Sequence, residues 1–209
     1  MVGHRDVLTR EKRDRMEPRR FGVSARVVAW ASVLFLLGAA CAGAAWLLAP
    51  VLAGQQAVAS GRLEDGLQRF AVADARLSWL PAGRRLLPAL ADLIVGEQLA
   101  AMYGLHQYDQ VIDKAGVAAS ATAQFWAGCA LFVKADVDVS DRNRLNWMTE
   151  SQQAFRAAME GDHADFDARF NYELVGRVIA GMKKDPTAER PRDLHLLIPS
   201  SAQAPKKVS

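Results

Sequence analysis

Charged side chains are missing from residues 27–53, and the segment is apolar on every side of a helix drawn through it. A helix rises about 1.5 Å per residue, so roughly 20 apolar residues cross a hydrocarbon layer of about 30 Å. The run exceeds that length, and residues 27–53 are predicted to form a transmembrane helix. The character then changes. Between Gln55 and Met182 there is no period-two alternation, while Ala, Leu, Gln, Arg and Glu recur in amphipathic order, which predicts helices throughout. Turn-forming residues interrupt this stretch at 61, 81–83, 88, 104, 116–120, 136–141 and 161–165, setting a helix every 10 to 20 residues. The predicted class is all-α: one transmembrane helix, then a domain of helical hairpins. The divisions are a basic tail (1–26), the span (27–53), the helical domain (54–185) and a Pro-, Ser- and Lys-bearing tail (186–209) expected to be disordered.

Charge gives the span a direction. Arg5, Arg10, Lys12, Arg13, Arg15, Arg19, Arg20 and Arg26 all precede it, and positive charge is retained on the cytoplasmic side. The N-terminus is therefore expected in the cytoplasm and the helical domain outside the cell membrane, as a single-pass protein. Of 26 basic and 23 acidic side chains, eight and four lie in the first 26 residues, leaving 18 against 19 beyond them. The pI near 9.0 thus reflects topology. A near-neutral domain offers no basic face for phosphates, so nucleic acid is not expected as a partner.

Two other readings of the N-terminus compete with an anchor. A cleaved signal peptide would find small residues at Ala40-Cys41-Ala42 or Ala42-Gly43-Ala44, yet the apolar run continues through Trp46, Leu47 and Leu48 to Leu52, which such a peptide does not need. Lipid attachment at Cys41 would want a large aliphatic residue where the chain has Gly38. Trp30 and Trp46 lie near the two ends of the span, at headgroup depth. Small residues at Gly38, Ala39, Ala42 and Gly43 would let a second span approach, making a homodimer through the membrane one partner to consider. With Cys41 in the span and Cys129 in the domain, no intrachain disulfide is expected.

The stretch Gly61-Arg62-Leu63-Glu64-Asp65-Gly66-Leu67-Gln68-Arg69-Phe70-Ala71-Val72-Ala73 resembles the second helix of a tetratricopeptide repeat: a turn glycine, then small residues for close contact and an aromatic to fill the groove to the next hairpin. Gly104 to Ile112 is a weaker echo. Trp126, Gly128, Cys129, Ala130 and Phe132 look like a first helix, Ala154, Phe155 and Ala158 like its partner, and Asp167-Ala168-Arg169-Phe170-Asn171-Tyr172-Glu173-Leu174 like the start of a capping helix. A basic N-terminus, one span, a degenerate tetratricopeptide-like domain and this ending resemble the small membrane components encoded with MoxR-type ATPases and von Willebrand factor A proteins. That resemblance implies help in assembling or activating a client complex, and it carries no catalytic residue.

Chemistry was sought at three places. Asp136, Asp138 and Asp141 superficially resemble the start of a calcium loop, but the sixth position lacks Gly and the twelfth, Trp147, lacks a carboxylate; the acids read as inter-helix caps. Asp162, His163, Asp165 and Asp167 form a second acidic turn with the same reading. His106, His163 and His195 come without a nucleophile elbow, a phosphate loop or paired cysteines. No catalytic residue, metal or cofactor is assigned, and the chain is expected not to be an enzyme. The expected partners are the lipid bilayer and other membrane or envelope proteins. Arg169 and Asn171 flank the apolar face made by Phe170 and Leu174 and are the candidate partner-binding pair, since the resemblance to tetratricopeptide domains implies that an Asn on the inner helix holds a partner's backbone. Leu194 to Ile198, an apolar patch among prolines, is expected to dock on the domain or on a partner.

Overall fold

The structure, a computed structural model, describes residues 25–118, 120–137, 141–184 and 195–198. Among them are eight helices and no strand: α1 (Ala25–Ala59), α2 (Leu63–Trp79), α3 (Gly83–Leu86), α4 (Pro88–Gly104), α5 (Tyr108–Val117), α6 (Ala121–Val137), α7 (Asp141–Gly161) and α8 (Phe166–Lys184). The all-α class is as the sequence predicts. Every interruption read from the sequence lies at or beside a helix end.

Contacts divide the chain after Gly43. The described part of the first unit is the opening stretch of α1, whose side chains from Arg26 onward are exposed, among them Val27, Leu34, Phe35 and Leu37. The segment Arg26–Ala59 is long and apolar enough to cross a membrane.

The second unit begins within α1, where a buried stripe appears at Leu47, Pro50, Val51, Gly54, Ala57 and Val58. Steps of three and four put these residues on one face. Helix α2 lies antiparallel on that face, presenting Gly66, Phe70, Ala73 and Leu77 at the same spacing. Missing side chains make the approach possible: a Cβ on Gly54 would stand 2.6 Å from the Phe70 ring, and one on Gly66 2.5 Å from a Val58 methyl. Ala91 and Ile94 of α4 close this first core cluster.

Pro50 explains an otherwise odd contact here. A proline inside a helix removes the N–H that would bond the carbonyl four residues earlier, here that of Trp46. Arg76 of α2 supplies the donor instead: its Nη1 bonds the Trp46 carbonyl, and its guanidinium lies 4.8 Å from the centroid of the Trp46 ring.

Helix α6 is the centre of the second core cluster. It packs against α4, α5 and α7 and buries residues on nearly every side, from Ala123 through Phe132 to Ala135. That requires small or apolar residues all round. Gly128 lets α7 come close, since a Cβ there would meet the Phe155 ring at 2.9 Å, and its carbonyl accepts a 2.8 Å bond from buried Ser151. Phe125 joins the aromatic layer edge-on to both Trp126 and Phe155, with centroids 5.6 and 5.7 Å away. Phe70, Trp126 and Phe155, the aromatics assigned to hairpin packing from sequence, are all buried.

Candidate functional site

Helix α8 starts from a defined cap, the Asp165 carboxylate accepting the Ala168 N–H at 3.0 Å. Its inward stripe is Ala168, Asn171, Leu174, Val175 and Ile179. Asn171 thus occupies the middle of the stripe rather than its flank, a fully buried amide among apolar neighbours. Such a group needs partners. It finds both in the chain's own tail: Nδ2 donates to the carbonyl of Leu197 and Oδ1 accepts the N–H of Leu197, each at 2.9 Å.

Bonding the N–H and C=O of one residue is what a neighbouring strand does in an antiparallel ladder. The Asn171 carboxamide takes the place of that strand. Leu196 and Ile198 pack against the second core cluster, while His195 and Leu197 point outward. The seat therefore has three features: a backbone reader, and places for two aliphatic side chains two residues apart. No side-chain chemistry at the central position is read. The apolar patch foreseen in the tail is docked at these four residues; the rest of 185–209 lies outside the described residues.

Arg169 does not join Asn171. Two residues of helix turn the side chain by about 200°, and Arg169 is exposed, donating to the His163 carbonyl at 3.1 Å. It secures the α7–α8 turn. The acidic turn is likewise engaged in local structure, with Asp162 bonding the Ala164 N–H at 3.0 Å and His163 Nδ1 lying 2.6 Å from the Met159 carbonyl. Of the calcium-like segment, residues 138–140 lie outside the described residues. His106 Nδ1 is 2.7 Å from the Tyr108 hydroxyl on an exposed turn.

Cys129 and Tyr103 of the second core both have their neutral forms favoured by burial. Burial, reinforced by the Asp165 and Asp167 carboxylates, pushes the Cys129 thiol well above its usual range. Burial chiefly, then Cys129 and Tyr108, raises the Tyr103 phenol. A thiol so placed packs as a small apolar residue.

Sequence reasoning singled out Asn171 and the tail patch separately and did not join them. The available hint was the short apolar run Leu196-Leu197-Ile198 just before Pro199, in a segment otherwise polar and Pro-bearing. No protein-family model, curated protein or solved structure matches this chain.

Proposed function

We propose that the chain is a membrane-anchored protein-binding scaffold, an assembly factor of an envelope complex, which holds an extended stretch of a client's backbone at Asn171. The observation that carries this reading is the buried carboxamide bonded to both polar groups of one extended residue. A slot that reads backbone and two aliphatic side chains accepts many sequences, as an assembly factor requires. The tail then marks the place a client strand would take.

Successive helices packed as hairpins support a degenerate tetratricopeptide-like domain, and the uncovered opening of α1 supports an anchor with the basic N-terminus in the cytoplasm. A MoxR-type ATPase and von Willebrand factor A proteins are the first associates to look for. The anchor also makes a small slot sufficient, since confinement to one membrane raises the effective concentration of a client.

The test uses the full chain in its own membrane, with a photoreactive residue at Phe170 and with Asn171 either intact or changed to Ala. A cross-linked protein that disappears with Asn171→Ala, alongside failure of that variant to complement a deletion strain, is the expected result. Equal recovery of the same proteins by both forms, with the variant folded and inserted, would overturn the assignment of the slot.

A further inference from the structure

The corner joining α2 to α4 presents large apolar side chains to the outside. Trp79 is 80% exposed and Leu86 73%, with Leu80 and Leu87 partly uncovered beside them. They are held outward by local geometry. Ala82 is left-handed at φ 57°, and Gly83 is so close to α2 that a Cβ would collide with the Leu77 carbonyl. The turn thus sets the direction in which α3 leaves α2, with Leu86 on the outside.

Two further facts narrow what covers this tip. The first is charge: from Ala75 to Ala91 there are three arginines, Arg76, Arg84 and Arg85, and no acid. Arg84 pairs with Asp74 at 2.5 Å, and Arg85 is exposed. The second is register. Because α2 is antiparallel to α1, with Gly66 on Val58 and Phe70 on Gly54, Trp79 comes level with Ala45, beside the Trp46 that the Arg76 guanidinium reaches. At that level the buried stripe of α1 has ended and Trp46 itself is exposed. The tip therefore lies at the end of the buried stripe of α1.

We propose that the segment Trp79–Leu87 is an interfacial foot that enters the headgroup layer of the membrane α1 spans, with Trp79 and Leu86 at the acyl boundary and Arg85 on lipid phosphate. Trp beside aliphatic residues and arginines is the composition that the membrane interface favours. The foot ties this corner of the helical domain to the bilayer surface. This inference rests on reading α1 as a span.

The experiment keeps the two apart. The full chain, with Cys41 and Cys129 replaced by Ala, is reconstituted in phosphatidylcholine vesicles containing one quarter phosphatidylglycerol. Single nitroxides are attached at Leu36, Trp79, Leu86 or Gln68, each replaced by Cys, and collision with oxygen is compared with collision with a water-soluble nickel complex. The foot requires oxygen to dominate at 36, 79 and 86 and nickel at 68. Nickel dominating at 79 and 86 with oxygen still dominating at 36 overturns the foot and leaves the span standing; nickel at 36 overturns the span. Probes at 79 and 86 shielded from both, or broadened by each other between chains, would show a protein occupant and overturn the lipid assignment. Arg85→Gln should move the probe at 86 toward water in pure phosphatidylcholine and further in anionic vesicles, where no choline offsets the phosphate; a probe unmoved in both refutes the phosphate contact.

Discussion

Changing Asn171 to Ala isolates the clamp from the apolar part of the seat, because Leu196 and Ile198 keep their contacts while both bonds to Leu197 are lost. The two bonds are neutral and 2.9 Å long, so each contributes about 0.5–1.5 kcal/mol net of water. Together they hold the segment by about 1–3 kcal/mol, roughly a 5- to 150-fold change in the ratio of docked to undocked tail. The Leu197 amide reports this ratio directly, since its only acceptor named in the seat is Asn171 Oδ1. Amide exchange of the full chain in nanodiscs should show Leu197 protected in the wild type and losing protection by that factor in Asn171→Ala. Asn171→Asp gives a second reading with the same shape. It keeps an acceptor for the Leu197 N–H but sets a carboxylate oxygen against the Leu197 carbonyl, so the tail should be released there too, and recover as the acid is protonated at low pH. Unchanged protection at Leu197 in both variants would refute the clamp, provided the core amides of α6 remain protected and so report an intact domain.

Phe155→Ala should lower the helical melting temperature markedly, since truncating a fully buried aromatic costs about 3–5 kcal/mol, and Gly128→Ala should cost about 1–3 kcal/mol because the new methyl meets the Phe155 ring at 2.9 Å; a wild-type melt for either variant would contradict the packing of α6 on α7. Arg76→Leu should destabilise the α1–α2 seam by about 1–3 kcal/mol, and Pro50→Ala should remove much of that penalty by restoring a backbone donor to the Trp46 carbonyl, so that denaturant titrations of the double-mutant cycle show coupling; strict additivity would show that Arg76 does not stand in for the missing N–H. Cys129 and Tyr103 have folded pKa values above their unfolded ones, so the unfolded chain releases these protons first, and stability that is full below about pH 9 should fall as pH rises beyond it. Cys129→Ala should flatten the early part of that fall, and a stability flat to pH 10.5 in the wild type would contradict the burial of both groups.

How much of the site was legible follows from what side-chain periodicity can encode. A polar residue beside an apolar helix face is visible, so Asn171 stood out, though on the flank of that face, and a short apolar patch among prolines is visible, so the tail did as well. Their pairing is a contact across 26 residues, and nothing in either local pattern names the other. Arg169 shows the opposite failure. Its nearness in sequence suggested a shared face, but two residues is close to the worst spacing on a helix of 3.6 residues per turn. Helix ends were legible because Gly, Pro and Asp act locally, whether through the Asp165 cap or through Pro88 at the first turn of α4.

The apolar run shows a deeper limit. Lipid and protein interior ask for the same side chains, so hydropathy alone does not mark where contact with α2 begins within residues 27–53. In the structure the seam with α2 already starts at Leu47. The exposed part of α1 from Val27 to Trp46 is 20 residues, about 30 Å of helix, which is the thickness of a hydrocarbon layer. The covered part carries Pro50, which leaves one backbone donor missing, and beyond it Gly54, where the Phe70 ring comes close. The exposed side chains from Val27 to Trp46 carry no such requirement. The division of this run falls beside its proline and not at its small residues, since Gly38, Ala39, Ala42 and Gly43 lie in the exposed part, and Arg76 meets the Trp46 carbonyl there.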